Sequence, residues 1–285
     1  MKFIFFTIAF LLALCLAAGP ARAEESPAWP DVLRVVYLPA EGKEATIRRF
    51  APFSEYLQRM LGTKVEPISF DTYAETIAYL SARQFELAYL SPAVYSQALP
   101  WLRLRVLAME LDGQGRRGYH SIIICRYNRP EKKLSEFLGK TFAFTSPESA
   151  SGFLVPLRHF LRDLHLSPAM FAGTVAFAGN HKRVVQGIIR GDYDFGAVND
   201  MDLDRILQSE SYDTGMRMLW ESELLPGSPI CARPDLPESL AAAAQAVICN
   251  YGLDRQRARG LGNGGFAPAT EADYASVSAL EAFRP

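Results

Sequence analysis

The segment LRVVYLPAEGKEATIRRFAPFSEYLQRMLGTKVEPISF, residues 33–70, determines how the chain is built. It opens with a β-branched stretch typical of a strand and continues with apolar residues at helical spacing that stop at Gly62. A second strand-like stretch closes it. A strand, a helix and a strand in this order predict a parallel sheet with a right-handed crossover. The segment therefore favours the α/β fold class.

The same alternation of strands and helices continues along the chain in two runs, separated by a break at residues 130–133. Thr72 and Glu75 have the spacing of a capping box at the start of one predicted helix. Two such runs predict a clamshell of two parallel-sheet lobes joined by two crossing strands, SIIICR and SPICAR. The predicted boundaries are residues 31–123 for the first part of lobe 1, 124–229 for lobe 2, and 230–285 for the completion of lobe 1 and the C-terminal helices.

Residues 1–23 have the features of a secretory signal peptide. Lys2 precedes an apolar run that ends at Ala18, and Ala21-Arg22-Ala23 has the small-x-small pattern of a cleavage site. The run is shorter than the roughly 20 apolar residues that span a bilayer. We therefore expect export and cleavage after Ala23. A lipoprotein is disfavoured because Leu14 stands before Cys15, where lipid modification usually requires a small residue.

The composition excludes some classes of partner. Acidic and basic residues are interspersed and nearly balanced, with a formal net charge of -1. Nucleic acid is therefore not an expected partner, because binding its backbone requires a dense basic face. The histidines and cysteines show no metal-ligand spacing, so we expect neither a metal site nor a cofactor.

Three cysteines remain after processing, and an oxidising compartment allows them one disulfide. They are Cys125, Cys231 and Cys249. Because the two crossing strands of a clamshell run side by side, we predict a Cys125–Cys231 disulfide. The alternative is that both are small buried apolar residues.

The segment SPESASGFLVP, residues 146–156, lies between a predicted strand and a predicted helix. Its turn, the elbow, contains Ser149, Ala150, Ser151 and Gly152. Unpaired N–H groups, serine hydroxyls and the positive end of the helix dipole face the same way there. Ligands of open parallel sheets bind beyond the carboxyl ends of the strands, so the elbow is suited to a small oxyanion. The alternative is that Ser149 or Ser151 only caps the helix.

Other candidate residues occupy similar positions. His181 follows a strand and begins a helix that Asn180 caps, so we expect a neutral imidazole that donates one hydrogen bond. Ser91 stands at a third strand-to-helix turn, where capping is the favoured role. Tyr73 begins a helix, and Tyr119 follows a glycine loop in lobe 1. Ordinary surface or half-buried side chains are the alternative for these residues.

Several motifs together resemble a known family. SASGFLVP, AGNH, GDYDFGAV, GYHSIII and LLPGSPICARPDLPE are similar, in order and spacing, to the PhnD-like family of phosphate-, phosphite- and phosphonate-binding periplasmic proteins. The resemblance implies a type II periplasmic-binding-protein fold and a monomer in the periplasm that hands a small phosphorus oxyanion to an inner-membrane ABC permease. By resemblance, Ser149 and Ser151 bind phosphoryl oxygens, His181 donates a further bond, and Tyr73 and Tyr119 close over the anion from the other lobe.

The chain departs from the family pattern at the elbow and near the ligand. Ala150 stands where the family usually has a hydroxyl, and one hydrogen bond to a charged group is worth roughly 1.5–3 kcal/mol. Ser228 and Met201 stand where acids would pair the ammonium of an aminoalkylphosphonate. We therefore favour phosphate, phosphite or a simple alkylphosphonate, although Asp200 or Glu221 could supply a carboxylate.

Two rival functions remain at this stage. A hydrolase using Ser149 or Ser151 would need a general base, and the chain has no G-x-S-x-G motif. A sensing protein that docks on a membrane receptor would bind its ligand by the same chemistry. Nothing in the sequence distinguishes it from a transport protein.

Overall fold

The computed structural model describes residues 28–209, 212 and 215–284. The predicted signal peptide, residues 1–23, lies outside this part of the chain. Within the described ranges, no helix combines the length and the apolar character needed to cross a bilayer.

The described residues form strands and helices in alternation, as the sequence predicts. The strands are β1 (Val32–Tyr37), β2 (Lys64–Ile68), β3 (Leu87–Tyr89), β4 (Arg105–Glu110), β5 (Gly118–Arg126), β6 (Thr141–Phe144), β7 (Thr174–Phe177), β8 (Phe195–Asn199), β9 (Met216–Pro226), β10 (Pro229–Ala232) and β11 (Phe266–Pro268).

The α-helices lie mostly between the strands. They are α1 (Lys43–Leu61), α2 (Tyr73–Ser81), α3 (Pro92–Leu102), α4 (Val155–Arg158), α5 (Pro168–Phe171), α6 (His181–Arg190), α7 (Asp200–Ser209), α8 (Glu238–Tyr251), α9 (Arg255–Leu261) and α10 (Ala275–Ser278). Short 3₁₀ segments cover Leu134–Phe137, Glu271–Tyr274 and Ala279–Phe283, and π-helical turns cover Ala150–Leu154 and His159–Asp163.

Local sequence signals explain where several of these helices begin and end. The capping box of α2 is confirmed, because the Glu75 N–H donates to Thr72 Oγ1 and the Thr72 N–H donates to Glu75 Oε2, both at 3.1 Å. Asn180 caps α6 by accepting a 2.9 Å hydrogen bond from the Arg183 N–H. Helix α1 ends at Gly62, which adopts a φ of 68° that suits glycine.

The two lobes each contain one sheet. The order in lobe 1 is β11-β4-β10-β3-β1-β2, and in lobe 2 it is β7-β6-β8-β5-β9. Strands β1, β2 and β3 pair in parallel, as do β6, β7 and β8. By contrast, β10 is antiparallel to β3 and β4, and β5 is antiparallel to β8 and β9. Both sheets are therefore mixed, because β5 and β10 enter their lobe from the other one without a crossover helix.

The structure divides the lobes at a different point from the predicted boundary at residues 123/124. That boundary falls inside β5, which pairs with β8 and β9 of lobe 2 along its length. The chain crosses at residues 111–117 and again at Gly227–Ser228, where the Glu110 N–H donates to the Ser228 carbonyl at 2.9 Å. Gly227 permits this approach, since a Cβ there would lie 2.0 Å from the Glu110 carbonyl oxygen.

The predicted Cys125–Cys231 disulfide is absent, and all three described cysteines are free. Cys125 lies on β5 in the core of lobe 2, whereas Cys231 lies on β10 in a core of lobe 1. The segments that run side by side are the crossings at Glu110 and Ser228, not the positions of the two cysteines. Burial raises the pKa of both thiols, so they behave as small apolar residues.

A candidate anion-binding site between the lobes

A small cavity lies between the carboxyl ends of the strands of the two lobes. Its volume is about 20 Å³, measured as the space open to the centre of a water-sized sphere. One water needs about 10–15 Å³ by this measure, so the cavity suits a compact group. Its lining residues are Leu38, Ala40, Tyr73, Tyr89, Ser91 and Glu110 of lobe 1, Ser228 of the crossing, and Tyr119, Ser149, Ser151, His181, Asn199, Met201, Asp202 and Arg205 of lobe 2.

The structure brings most of the sequence-predicted residues together around this cavity. Those that line it are Tyr73, Ser91, Tyr119, Ser149, Ser151, His181, Met201 and Ser228. Ala150, Gly152 and Asp200 do not line it. Ala150 is fully buried in the core of lobe 2. The methyl group of Ala150 therefore packs in that core and is not part of the cavity wall.

The elbow begins with a widened helical turn. The Leu154 N–H bonds to the Ser149 carbonyl, five residues earlier, at 3.1 Å. Pro156 has no N–H to give the Gly152 carbonyl, which accepts a 3.0 Å bond from the Thr145 N–H instead. The π-helical turn is how the chain accommodates Pro156.

Ser149 both caps this turn and faces the cavity. Its Oγ accepts a 2.9 Å hydrogen bond from the Gly152 N–H. The Gly152 N–H is thus occupied, and a Cβ at Gly152 would lie 2.2 Å from Thr145 Oγ1. The role of Gly152 is close packing. The hydroxyl proton of Ser149 and the first-turn N–H groups of Ala150 and Ser151 remain as donors at the N-terminal end of the turn.

His181 is buried between the two lobes. The backbone N–H of His181 donates to the Ala40 carbonyl of lobe 1 at 3.2 Å. Its Nδ1 lies 3.4 Å from Thr145 Oγ1, and its Nε2 lies 3.7 Å from the Asp202 carboxylate. Burial lowers the pKa of His181 below its ordinary value, although Asp202 opposes this effect. The imidazole is therefore neutral near pH 7, and the carboxylate favours a proton on Nε2.

Two buried tyrosines add neutral hydroxyls. Burial raises the pKa of Tyr73 and of Tyr119 well above the ordinary value, and the negative charge of Asp202 raises it further. Both hydroxyls therefore keep their protons and can donate. The predicted lobe of Tyr119 is wrong, because Tyr119 lies on β5 of lobe 2, where it lines the cavity together with Ser151. Of these two tyrosines, Tyr73 is the one that lines the cavity from lobe 1.

A charged wall lies beside these neutral donors. Arg205 of α7 binds Asp202 and reaches lobe 1, where its Nη1 lies 3.3 Å from Glu110 Oε1 and its Nε lies 3.6 Å from Glu41 Oε1. Arg49 lies 3.1 Å from Glu41. Burial alone would raise the pKa of Asp202, but Arg205, His181 and Arg49 outweigh it and hold that pKa far below the usual range. Asp202 is therefore ionised.

The two carboxylates that the sequence offered as partners for a ligand ammonium, Asp200 and Glu221, lie outside the cavity lining. Asp200 Oδ1 accepts 2.9 Å hydrogen bonds from the N–H groups of His120 and Met201, which tie it to β5. Burial raises the pKa of Asp200, and these bonds counter part of that effect. Glu221 is half-exposed on β9, 3.8 Å from His120 Nδ1. Neither side chain lines the cavity.

Sequence reasoning missed the acids that do line it. Glu110 ends β4, and Asp202 lies in the first turn of α7, directly after β8. Both obey the rule that ligand sites form beyond the carboxyl ends of strands. The acid–base spacing of Asp202 and Arg205 on one helix was a further signal. Tyr89 and Asn199, the last residues of β3 and β8, could have been found by the same rule.

Within the described ranges, no group of three or more His, Cys, Asp or Glu side chains is arranged to hold a metal ion. The site is thus built from hydroxyls, N–H groups, one imidazole and a paired set of charges.

Comparison with known proteins identifies similar chains. A family model for the periplasmic substrate-binding protein of phosphonate ABC transporters matches residues 35–274. The chain is 26% identical over 268 residues to the phosphonates-binding periplasmic protein of Escherichia coli strain K12, with 92% of this chain and 77% of that protein covered. It is 24% identical over 292 residues to the phosphate-import protein PhnD of Mycolicibacterium smegmatis, with 95% and 91% covered.

A solved structure shares the architecture. PhnD1 from Prochlorococcus marinus, in complex with methylphosphonate, has a TM-score of 0.77 at 20% identity, with 89% of this chain and 98% of that chain covered. At this identity the likeness concerns the fold.

Proposed function

The chain belongs to the family of periplasmic substrate-binding proteins of phosphonate ABC transporters, and we propose that its own ligand is a small phosphorus oxyanion: phosphate, phosphite or a simple alkylphosphonate. The family confirms the type II periplasmic-binding-protein fold and a transport role in the periplasm. The chain is a binding protein and not an enzyme, so the hydrolase is excluded. Family membership also favours delivery to an ABC permease over docking on a sensor.

The observation that carries the proposal is the convergence of neutral donors on one small cavity. Ser149 and Ser151 come from lobe 2, and Tyr73 and Ser91 come from lobe 1. Ser91 Oγ accepts a 3.2 Å bond from the Val94 N–H, which leaves its proton for another acceptor. Donors on both sides favour an anion that holds the lobes closed. A tetrahedral oxyanion has enough acceptor oxygens to satisfy them.

Export through a cleaved signal peptide, residues 1–23, is part of the proposal, as is a monomeric carrier. The names of the relatives support the ligand class, because the Escherichia coli protein is named for phosphonates and the Mycolicibacterium smegmatis protein for phosphate. The Prochlorococcus marinus structure contains methylphosphonate.

A calorimetric titration tests the proposal. The chain from Glu24 is unfolded and refolded to remove bound ligand, and is titrated with phosphate, phosphite, methylphosphonate, 2-aminoethylphosphonate and sulfate. We expect saturable binding of at least one phosphorus oxyanion without an amine. If none of the phosphorus compounds binds, or if sulfate alone binds, the assignment is refuted.

A further inference from the structure

Two carboxylates form part of the cavity wall, one from each lobe. Glu110 is 1% exposed and Asp202 is 3% exposed, and both line the cavity. Buried acids at this place are what a ligand carrying an ammonium group would need, because an unpaired buried charge is costly. The sequence suggested that such acids are missing, since Met201 and Ser228 occupy the expected positions. The structure shows that acids are present.

Both carboxylates are already paired with Arg205. Its guanidinium donates to Asp202 and, at 3.3 Å, to Glu110 Oε1. It also donates to the Gly262 carbonyl at 3.2 Å. A Cβ at Gly262 would lie 2.8 Å from the Cδ of Arg205, so the arginine stem packs directly on this glycine backbone. The guanidinium is held from both lobes.

Further donors occupy the other carboxylate oxygens. Tyr89 donates to Glu110 Oε2 at 2.6 Å, and Asn263 donates to Glu110 Oε1 at 2.8 Å. Asn199 donates to Asp202 Oδ2 at 2.7 Å. Every carboxylate oxygen of the pair thus has a donor within the protein. Burial alone would lower the pKa of Arg205, but Asp202 and Glu110 raise it well above the ordinary value, so the guanidinium stays charged.

We propose that Arg205 is the specificity-determining residue of this site: its guanidinium occupies the place and the charge partners that the ammonium of an aminoalkylphosphonate would take. The inference rests on the proposed function and names the substrate class within it, phosphorus oxyanions without an amine. A ligand ammonium would meet a fixed cation and two carboxylates whose charge is already paired with that cation. An apolar substituent of the same size meets no such repulsion.

Matched ligand pairs test the proposal. Aminomethylphosphonate has an ammonium group where ethylphosphonate has a methyl group. The same replacement relates 2-aminoethylphosphonate to propylphosphonate. Titrations give the affinity ratio within each pair. We expect the protein with Arg205 to bind the amine-free member at least tenfold more tightly, and Arg205→Ala to shift the ratio towards the amine by at least tenfold in one pair. Arg205→Lys, which keeps a cation, should keep the preference against amines.

The outcomes separate the two proposals. Binding of no phosphorus oxyanion by the unmodified protein rejects the proposed function and this inference with it. Binding with an unchanged ratio in Arg205→Ala rejects the inference alone, as does loss of all phosphonate binding in that variant, because Arg205 would then contact the anion itself. If Arg205→Ala does not fold, as circular dichroism would show, the ratio in the unmodified protein decides, and equal or tighter binding of the amine overturns the inference.

Discussion

The two walls of the cavity use opposite chemistry. The elbow wall offers neutral donors, the hydroxyls of Ser149 and Ser151 and the first-turn N–H groups of Ala150 and Ser151, whereas the wall around Arg205 contains full charges that are paired with one another. A dianion needs donors but does not need a counter-charge when a helix N-terminus faces it. In the proposed site, the elbow therefore recognises the oxyanion, whereas the charged wall joins the lobes and disfavours ligands that carry an ammonium group.

The largest expected effect is a loss of unfolding free energy when the ion pairs of Arg205 in the charged wall are disrupted. Asp202→Ala leaves Arg205 without its partner on the same helix, and removal of one member of a buried ion pair costs about 3–5 kcal/mol. The control is Asp192→Ala, which breaks an exposed pair with Arg190 worth about 0–1 kcal/mol. Urea unfolding of both variants measures the difference. Equal losses of unfolding free energy would show that the charged wall is not a structural unit.

The next effect separates recognition from stability at the elbow. Ser149→Ala removes a cap and, in the proposed site, a donor to the anion, so affinity should fall by about tenfold to a hundredfold. Ser167 caps α5 through the Met170 N–H at 3.2 Å and lies outside the cavity lining. Ser167→Ala should lose a similar cap energy, about 1 kcal/mol, without a change in affinity. A parallel loss of affinity in both variants would contradict the proposed role of Ser149.

A smaller effect concerns the contribution of lobe 1. Tyr73→Phe removes the neutral hydroxyl of a tyrosine that lines the cavity from lobe 1, and we expect about tenfold weaker binding of the phosphorus oxyanion by calorimetry. The matched control is Tyr95→Phe, because the buried Tyr95 hydroxyl has no hydrogen-bond partner among the described residues. Tyr95→Phe should leave the affinity unchanged. If Tyr73→Phe also binds normally, lobe 1 closes without a hydrogen bond from this side chain.

The elbow could be predicted from the sequence because its signals are local. A strand, a serine turn and a helix lie within about twenty residues, and the same holds for Asn180 and His181. The charged wall could not be predicted in this way. Arg205 and Glu110 are 95 residues apart, and no spacing rule joins an arginine of one lobe to a carboxylate of the other.

The predicted division of the lobes failed for a related reason. The apolar strand β5 is compatible with either sheet, and only its pairing with β8 and β9 places it in lobe 2. The predicted lobe of Tyr119 was wrong for the same reason, because Tyr119 lies on β5. The disulfide inference failed at the same point, because it required the strands that contain Cys125 and Cys231 to be neighbours. They lie in different sheets.

The smallest expected effect lies at His181, where the two walls meet. An unfolded histidine has a pKa of about 6.5, and burial holds the pKa of His181 below that value. Between the folded and unfolded pKa values the unfolded chain binds a proton that the folded chain does not. The contribution of neutral His181 to the free energy of unfolding is therefore fully present above about pH 6.5. It is lost as the pH falls towards the folded pKa, with a slope of at most about 1.4 kcal/mol per pH unit.

His181→Asn should flatten this part of the curve of unfolding free energy against pH, measured by urea unfolding without ligand between about pH 5 and 8. The control is His165→Asn, since His165 is exposed on lobe 2 and adopts a φ of 53°, a conformation that asparagine tolerates. The His165 variant should keep the slope of the unmodified protein. A slope that survives in His181→Asn would mean that the proton uptake belongs to another group.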